Sequence, residues 1–291
     1  MLFFFATDLH GRTGRWNALL ARIEAERPDA VLLGGDLGPH GLAPSVGGDE
    51  GFLAGWLAPR LRRLRDRLGD GYPRIPTILG NDDPAVLVTD LQAMQAEGLL
   101  EHAHLRRIEL GPVVVYGCAW VPPTPFLLKD WERYDVGRGV DPGAVSPEEG
   151  RRSVPVEPHV VRWSTIAGDL DDLAGGDDLA GAVCLFHSPP HDTALDRADL
   201  DGRMVDHVPV DVHVGSVAIR RFLASRQPAA ALCGHVHEAA RLTGTWRDRI
   251  GETEVLGAAH DGPELALVRL DPADPAAATR ELIDPVGADP G

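Results

Sequence analysis

Leu2-Phe3-Phe4-Phe5-Ala6-Thr7-Asp8-Leu9-His10 joins a compact apolar run to an Asp-x-His pair. Five apolar residues in a row suit a compact strand. The same arrangement recurs four times. Ala30–Leu33 leads to Gly34-Gly35-Asp36, and Ile75–Leu79 leads to Gly80-Asn81-Asp82-Asp83. Ala182–Phe186 leads to His187, and Ala229–Cys233 leads to Gly234-His235-Val236-His237. In open α/β sheets, ligands gather at the carboxyl ends of strands, so side chains from five distant segments can meet in one cleft. The glycines ahead of Asp36, Asn81 and His235 let the backbone turn where a side chain would clash.

Helical patterns separate these strands. Trp16, Leu19, Leu20 and Ile23 recur at helical spacing from Thr13 towards Pro28. Phe52–Leu68 sets leucines against five arginines, with Pro59 kinking or restarting the helix. The five-Arg face reads as a solvated surface. Pro84–Glu97 reads as a helix with Pro at its first position and Asp83 as N-cap. Ile166–Leu173 reads as a short helix, and Ser216 as the cap of a helix bearing Val217, Ile219, Phe222 and Leu223. Further strands are expected at Val113–Tyr116, Glu254–Leu256 and Leu265–Leu270. End-to-end alternation favours one α/β domain over residues 1–270. The Pro- and Gly-rich stretch 122–158 is a long loop, functional or ordered over a site. Residues 271–291, rich in Asp, Pro, Ala and Gly, read as a loose tail.

The chain has 291 residues, with 28 Lys and Arg against 44 Asp and Glu, a formal net charge of −16. Such an acidic balance argues against a nucleic-acid polymer or anionic membrane as partner. No apolar run reaches the roughly 20 residues that span a bilayer. The N-terminus lacks the basic region of a signal peptide. Three cysteines, each in or beside an apolar run, read as buried thiols in a reducing cytoplasm.

Asp, Asn and neutral His together suit borderline divalent metals. Asp8, His10, Asp36, Asn81, His187, His235 and His237 make seven ligands, too many for one zinc with an open position and about right for two metals sharing a carboxylate. This series, in this order, resembles the calcineurin-like metallophosphoesterases. Pro122-Pro123-Thr124-Pro125-Phe126, His187-Ser188-Pro189-Pro190 and His213-Val214-Gly215-Ser216 are similar to the small prokaryotic Icc-related phosphoesterases.

The resemblance implies a four-layer αββα sandwich. It implies one metal on Asp8, His10, His237 and a shared Asp36, and another on Asp36, Asn81, His187 and His235. The ions would be two of Mn, Fe, Zn, Ni or Co, with Mn favoured. A bridging hydroxide would attack phosphorus in line, making the chain a hydrolase of phosphoester bonds. Asn81, Asp82 and His235 are the catalytic candidates. Many relatives have His where this chain has Asp82, which leaves leaving-group protonation to water or to Asp82 itself and points towards diesters. Arg12 and His191 are candidates for substrate contact. His213 reads either as support for a ligand or as part of the loop before Ser216. His102, His104 and His159 read as surface residues. Trp120, Phe126 and Trp131 either stack a base or pack the long loop. The substrate expected is a small phosphodiester or nucleotide derivative. A phosphomonoesterase or phosphoprotein phosphatase on the same site, and a non-catalytic metal-binding scaffold, are the alternatives. The oligomeric state stays open.

Overall fold

The computed structural model describes residues 1–39 and 51–287. In chain order the elements begin with β1 (Phe3–Ala6), α1 (Thr13–Glu26), β2 (Ala30–Gly34) and α2 (Ala58–Leu68). There follow β3 (Pro76–Ile78), α3 (Val88–Ala96), β4 (Glu101–His102), β5 (Arg106–Leu110) and β6 (Val113–Cys118). After the long loop come α4 (Pro158–Trp163), α5 (Ile166–Ala174), β7 (Val183–Phe186) and the small hairpin β8 (Met204–Val205) and β9 (Val208–Pro209). The chain continues through α6 (Val217–Arg226), β10 (Ala230–Cys233), α7 (Ala239–Thr243), β11 (Arg247–Ile250), β12 (Thr253–Gly257), β13 (Leu265–Asp271) and β14 (Asp274–Ile283).

Two six-stranded sheets face each other. One has the order β14-β13-β1-β2-β3-β4, the other β11-β12-β10-β7-β6-β5. β2 packs on β7 and β3 on β6 across the interface, α1 covers the first sheet, and α5 and α6 cover the second. This is the expected four-layer αββα sandwich. β1, β2 and β3 run parallel, as do β6, β7, β10 and β12. The three phenylalanines of β1 are fully buried, since both faces of that strand meet apolar layers.

Helix starts follow local chemistry. Ser216 Oγ accepts the Ile219 N–H at 3.0 Å, as the cap expected of it. Phe52–Leu57 is a π-helical segment that passes into α2 with Pro59 in the first turn, so the proline restarts the helix. The arginine face of α2 is solvated and paired, Arg62 with Glu97 and Arg67 with Glu24.

Three expectations need correction. Residues 274–283 are no loose tail: β14 pairs antiparallel with β13 from Leu265↔Ile283 to Arg269↔Thr279 and extends the first sheet. The alternation there was hidden by Ala and Pro, but Ala278 and Ile283 are buried. The stretch after Pro84 opens as a 3₁₀ turn, Ala85–Leu87, and only then becomes α3, and Asp83 caps nothing. Its side chain has turned inward to another task, described below.

The third correction concerns His102 and His104. His159 is exposed, but His102 is buried on β4, and neither of its ring nitrogens has a hydrogen-bond partner. His104 Nδ1 accepts the Ala119 N–H at 3.0 Å, and its ring meets Trp120 and Trp131 edge-on. Burial pushes His102 down to about 4 from its ordinary 6.5 and pushes His104 well below its ordinary value. Above pH 6.5 His102 is neutral in both folded and unfolded chains, so its full contribution to stability is present. As pH falls from 6.5 towards 4, only the unfolded chain takes up the proton, and stability is lost, by up to about 3 kcal/mol for His102. His102→Leu is therefore expected to shallow the acid limb of the melting temperature while leaving pH 8 stability undiminished. An unchanged acid limb would refute the assignment.

Up to α4, which begins at Pro158, the 122–158 loop contains no helix or long strand, but buried polar groups anchor it. Lys129 and Glu132 are both fully buried and form an ion pair. Glu132 also accepts the Thr124 N–H at 2.7 Å and the Thr124 hydroxyl at 2.6 Å, while Lys129 Nζ donates to Thr124 O at 2.8 Å. Asp135 accepts the Ser216 hydroxyl at 2.5 Å and the Val217 N–H at 2.7 Å, tying the loop to α6. Trp120 and Trp131 are buried packing residues, whereas Phe126 is 54% exposed. Among the described residues, no helix is long and apolar enough to cross a membrane.

Candidate metal centre

Parallel register brings the carboxyl ends of β1, β2, β3, β7 and β10 to one edge of the two sheets. Backbone bonds then lock the loops together. The Asp8 N–H donates to Gly35 O at 3.0 Å, His10 N–H to Asp36 O at 2.8 Å and Gly234 N–H to His187 O at 2.9 Å. Four residues at this edge have left-handed backbones: Asp8 (φ 56°), His10 (φ 46°), Asp36 (φ 51°) and His235 (φ 73°). Such conformations are uncommon outside glycine and cluster where surrounding structure imposes them for function.

The glycines act by a different route from the one expected. Gly35 has a positive φ of 101°, but Gly80 and Gly234 are not in the left-handed region. They are needed for close approach: a Cβ on Gly80 would overlap Asp36 Oδ1 and lie 2.6 Å from His187 Cε1. One on Gly234 would lie 2.5 Å from Asp8 Oδ2.

The side chains converge. His10 Nε2 lies 3.0 Å from His237 Nε2, and His237 Nε2 lies 3.2 Å from Asp8 Oδ1. One ligand atom from each of Asp8, His10, Asp36 and His237 falls within 4.8 Å of the others. Beside this group, His187 Nε2 is 3.1 Å from Asn81 Oδ1 and 3.4 Å from Asp36 Oδ2. The His235 ring is 5.2 Å from the His187 ring, and its backbone N–H reaches both Asp8 oxygens at 3.2 Å. Asp36 touches both groups, since its Oδ2 is also 3.8 Å from His10 Nε2. All seven expected ligands thus gather at one place.

Tautomers follow from the partners. His187 Nδ1 lies 2.8 Å from Gly34 O, which only accepts, so Nδ1 carries a hydrogen and Nε2 is the nitrogen turned to the centre. Asp8 and Asp36 are 0% and 2% exposed, and among the described residues neither forms an ion pair with Lys or Arg. Buried carboxylates need compensation. Here imidazoles supply it. Burial opposes a charged His187, but Asp36, Asp8 and the Gly34 carbonyl together outweigh it and raise the imidazole to about 10. Burial would raise Asp8, yet the His237 hydrogen bond and charge hold it well below its ordinary value. Burial and the nearby His187 push His235 down to about 3. The donor set therefore fits divalent cations: hard oxygens and borderline nitrogens, arranged with two imidazole nitrogens face to face.

This electrostatics has a measurable consequence. A cation must displace the proton that His187 carries in its absence, so metal binding releases protons and weakens as pH falls. At 100 times its dissociation constant, Mn²⁺ should add about 2.7 kcal/mol, a rise of several degrees in melting temperature. Calorimetry in buffers of differing ionisation enthalpy should show proton release. Uptake, or no thermal shift with any divalent ion, would refute it.

Asp83 and Arg15 are supports that the sequence did not single out for this work. Asp83 accepts N–H groups from Leu37 at 3.0 Å, Gly38 at 2.9 Å and Gly80 at 3.0 Å, stitching the Asp36 loop to the Asn81 loop. Arg15, buried on α1, donates to Asp8 O at 2.6 Å and His260 O at 3.1 Å. Its one visible signal is a charge on the apolar face of α1. Asp82 lies at the centre, its Oδ2 3.7 Å from His10 Nδ1 and its N–H 2.9 Å from Asp36 Oδ1.

A cleft of about 830 Å³ opens over the centre. Its floor includes His10, Asp36, Asn81, Asp82, His235 and His237. Pro122–Phe126, Asp141 and Pro142 also line it, as do Leu200, Arg203, Val210 and His213. Arg12 also lines the cleft, and its Nη1 donates to Gly262 O at 3.2 Å. His191 lies outside that lining, where its Nε2 meets Asp211 Oδ2 at 3.5 Å.

Comparison with known proteins agrees with this geometry. No curated protein matches the chain. Among solved structures, TT1561 of Thermus thermophilus superposes with a TM-score of 0.56 at 14% identity, covering 97% of this chain and 98% of its own. Another crystal structure has a TM-score of 0.60 at 14% identity, covering 97% and 99%. The YfcE phosphoesterase from E. coli aligns over 98% of this chain and all of its own, at 11% identity and a TM-score of 0.37 too low to carry an argument. At such identities these likenesses bear on the fold alone. The family described as calcineurin-like phosphoesterase matches residues 1–239, a span that holds all seven converging side chains. This chain therefore belongs to the calcineurin-like phosphoesterases, enzymes that hydrolyse phosphoester bonds.

Proposed function

We propose that the chain is a dinuclear-metal phosphodiesterase acting on a small diester or nucleotide derivative. The observation that carries this reading is Asp36: one buried carboxylate between the Asp8–His10–His237 group and the Asn81–His187 pair, with no Lys or Arg ion pair among the described residues. Asp8, His10, Asp36 and His237 would hold one cation, and Asp36, Asn81, His187 and His235 the other. The mixed oxygen and nitrogen set suits Mn, Fe, Zn, Ni or Co, with Mn the first choice. When bound, two such ions supply an activated water and positive charge for the phosphoryl oxygens.

The protein's own residues do the rest. Gly80 and Gly234 admit the carboxylates, and the Gly34 carbonyl orients His187. Arg12, at the cleft, is placed to meet a phosphate oxygen or substrate carboxylate. The cleft volume lies within the range of small-ligand sites, which supports a substrate of nucleotide size and not a folded phosphoprotein. Asp82 is a poor neighbour for the doubly charged phosphate of a monoester, which also favours diesters. Three buried free thiols suit a reducing cytoplasm. Bis(p-nitrophenyl) phosphate should be turned over with added Mn²⁺, faster than the mono-ester, and His235→Ala should abolish it. Absence of turnover with every divalent metal tried would overturn the reading.

A further inference from the structure

Asp82 stands at the centre where many relatives have an imidazole that could protonate a departing oxygen. The histidines at the ligand positions are turned to the cation site. Of the histidines lining the cleft among the described residues, His213 alone lies outside that set.

His213 is held as a proton donor needs to be. Asp196, 0% exposed, accepts N–H groups from Asp192 at 2.9 Å, Thr193 at 2.9 Å and Gly215 at 3.1 Å. It also lies 2.8 Å from His213 Nδ1. A carboxylate already accepting three donors makes Nδ1 the protonated nitrogen, so Nε2 is left as the working atom. The His213 side chain is 29% exposed, open to the cleft on one side and pinned on the other.

The loop bearing it is stitched to the metal-centre loops. Val214 packs in a small apolar cluster with Val236, the residue between His235 and His237. Ser216 N–H donates to Pro189 O at 2.9 Å, two residues past His187. Gly215 has no room for a side chain: a Cβ there would lie 2.7 Å from Pro189 O and 2.8 Å from Asp196 Cβ. The groups facing the imidazole are Asp196, Asp211, whose Oδ1 accepts the His213 N–H at 2.9 Å, and His191, with ring centroids 6.0 Å apart. Arg197, bridged to His213 through the backbone, sends its guanidinium to Asp201 and Ala198 O.

We propose that His213, positioned by Asp196, donates the proton to the leaving-group oxygen. This rests on the phosphodiesterase reading above. Water adds to phosphorus and gives up a proton to solvent. The bond from phosphorus to the leaving oxygen breaks, and that oxygen takes the proton from His213 Nε2. The imidazole is reprotonated from solvent, so one water and one diester become one alcohol and one monoester.

The test uses the full chain loaded with Mn²⁺ and two diesters. Bis(p-nitrophenyl) phosphate releases a phenolate that departs unaided, whereas diphenyl phosphate releases a more basic one. His213→Gln should hold nitrophenyl turnover within about threefold and lose about 10²-fold or more on diphenyl phosphate. His213→Ala should regain diphenyl turnover with added imidazole, which a merely structural role would not allow. Equal losses on both diesters without rescue, or no loss on either, would overturn the assignment of His213 alone. A wild type that cleaves only the nitrophenyl diester would overturn it as well. A wild type that cleaves neither would overturn the phosphodiesterase reading, and this proposal with it.

Discussion

Asp36→Asn should lower kcat/KM on bis(p-nitrophenyl) phosphate by at least about 10³-fold, since it removes the charge that both metal groups share. The metal-free protein should hardly notice. Asparagine keeps an oxygen to accept the Asp82 N–H now bonded at 2.9 Å. His187, raised to about 10 against its burial by Asp36 with help from Asp8 and the Gly34 carbonyl, would lose its main support, shed its proton and stay buried as a neutral ring. The buried pair thus disappears without stranding a charge, the outcome that makes breaking such pairs costly. The expected signature is a near-normal melting temperature without metal and loss of the rise on adding Mn²⁺. Activity within tenfold of wild type would show that Asp36 is no shared ligand.

Asp83→Ala should cost about 3 kcal/mol of stability or more, and most of the activity with it. The variant strands three buried N–H groups, on Leu37, Gly38 and Gly80, each worth about 1–3 kcal/mol when left unpaired. The same groups fix the loops that carry Asp36 and Asn81. Asp83→Asn should be much milder, because one acceptor oxygen remains. Burial and the charge of Asp36 raise Asp83 to about 7. Its contribution to stability is therefore complete below the ordinary carboxyl range and is lost as pH rises through 7. In metal-free protein, Asp83→Asn should compare better with wild type at pH 8 than at pH 5. Melting curves at the two pH values decide it. Equal deficits of Ala and Asn variants would mean that the tether is not made by the carboxylate.

The chemistry-bearing pattern was legible because it is local. A strand buried on both faces leaves a run such as Phe3-Phe4-Phe5, and its carboxyl end leaves polar residues at fixed places, so five strand-and-ligand units stand out without any fold being known. The same locality explains the misreadings. Asp83 before Pro84 looks like a cap, and nothing nearby in sequence reveals three N–H groups from Leu37, Gly38 and Gly80 waiting for it. His102 looks like surface because its neighbours are polar, yet β4 pairs with β3 and is covered by α3. Residues 274–283 look loose because alanine and proline carry a weak strand signal, until β13 supplies a partner edge.

The linear sequence determined which side chains are present, on which strand ends, and that carboxylate, amide and imidazole together call for cations. Tertiary structure decided the distances: that Asp36 reaches both groups, that His10 and His237 face each other, and that Asp196 turns one nitrogen of His213 away from the cleft. The first two depend on contacts between segments far apart in the chain, and the third on a loop folded back upon itself. Their energies are set by sheet register and burial and leave no mark on neighbouring residues.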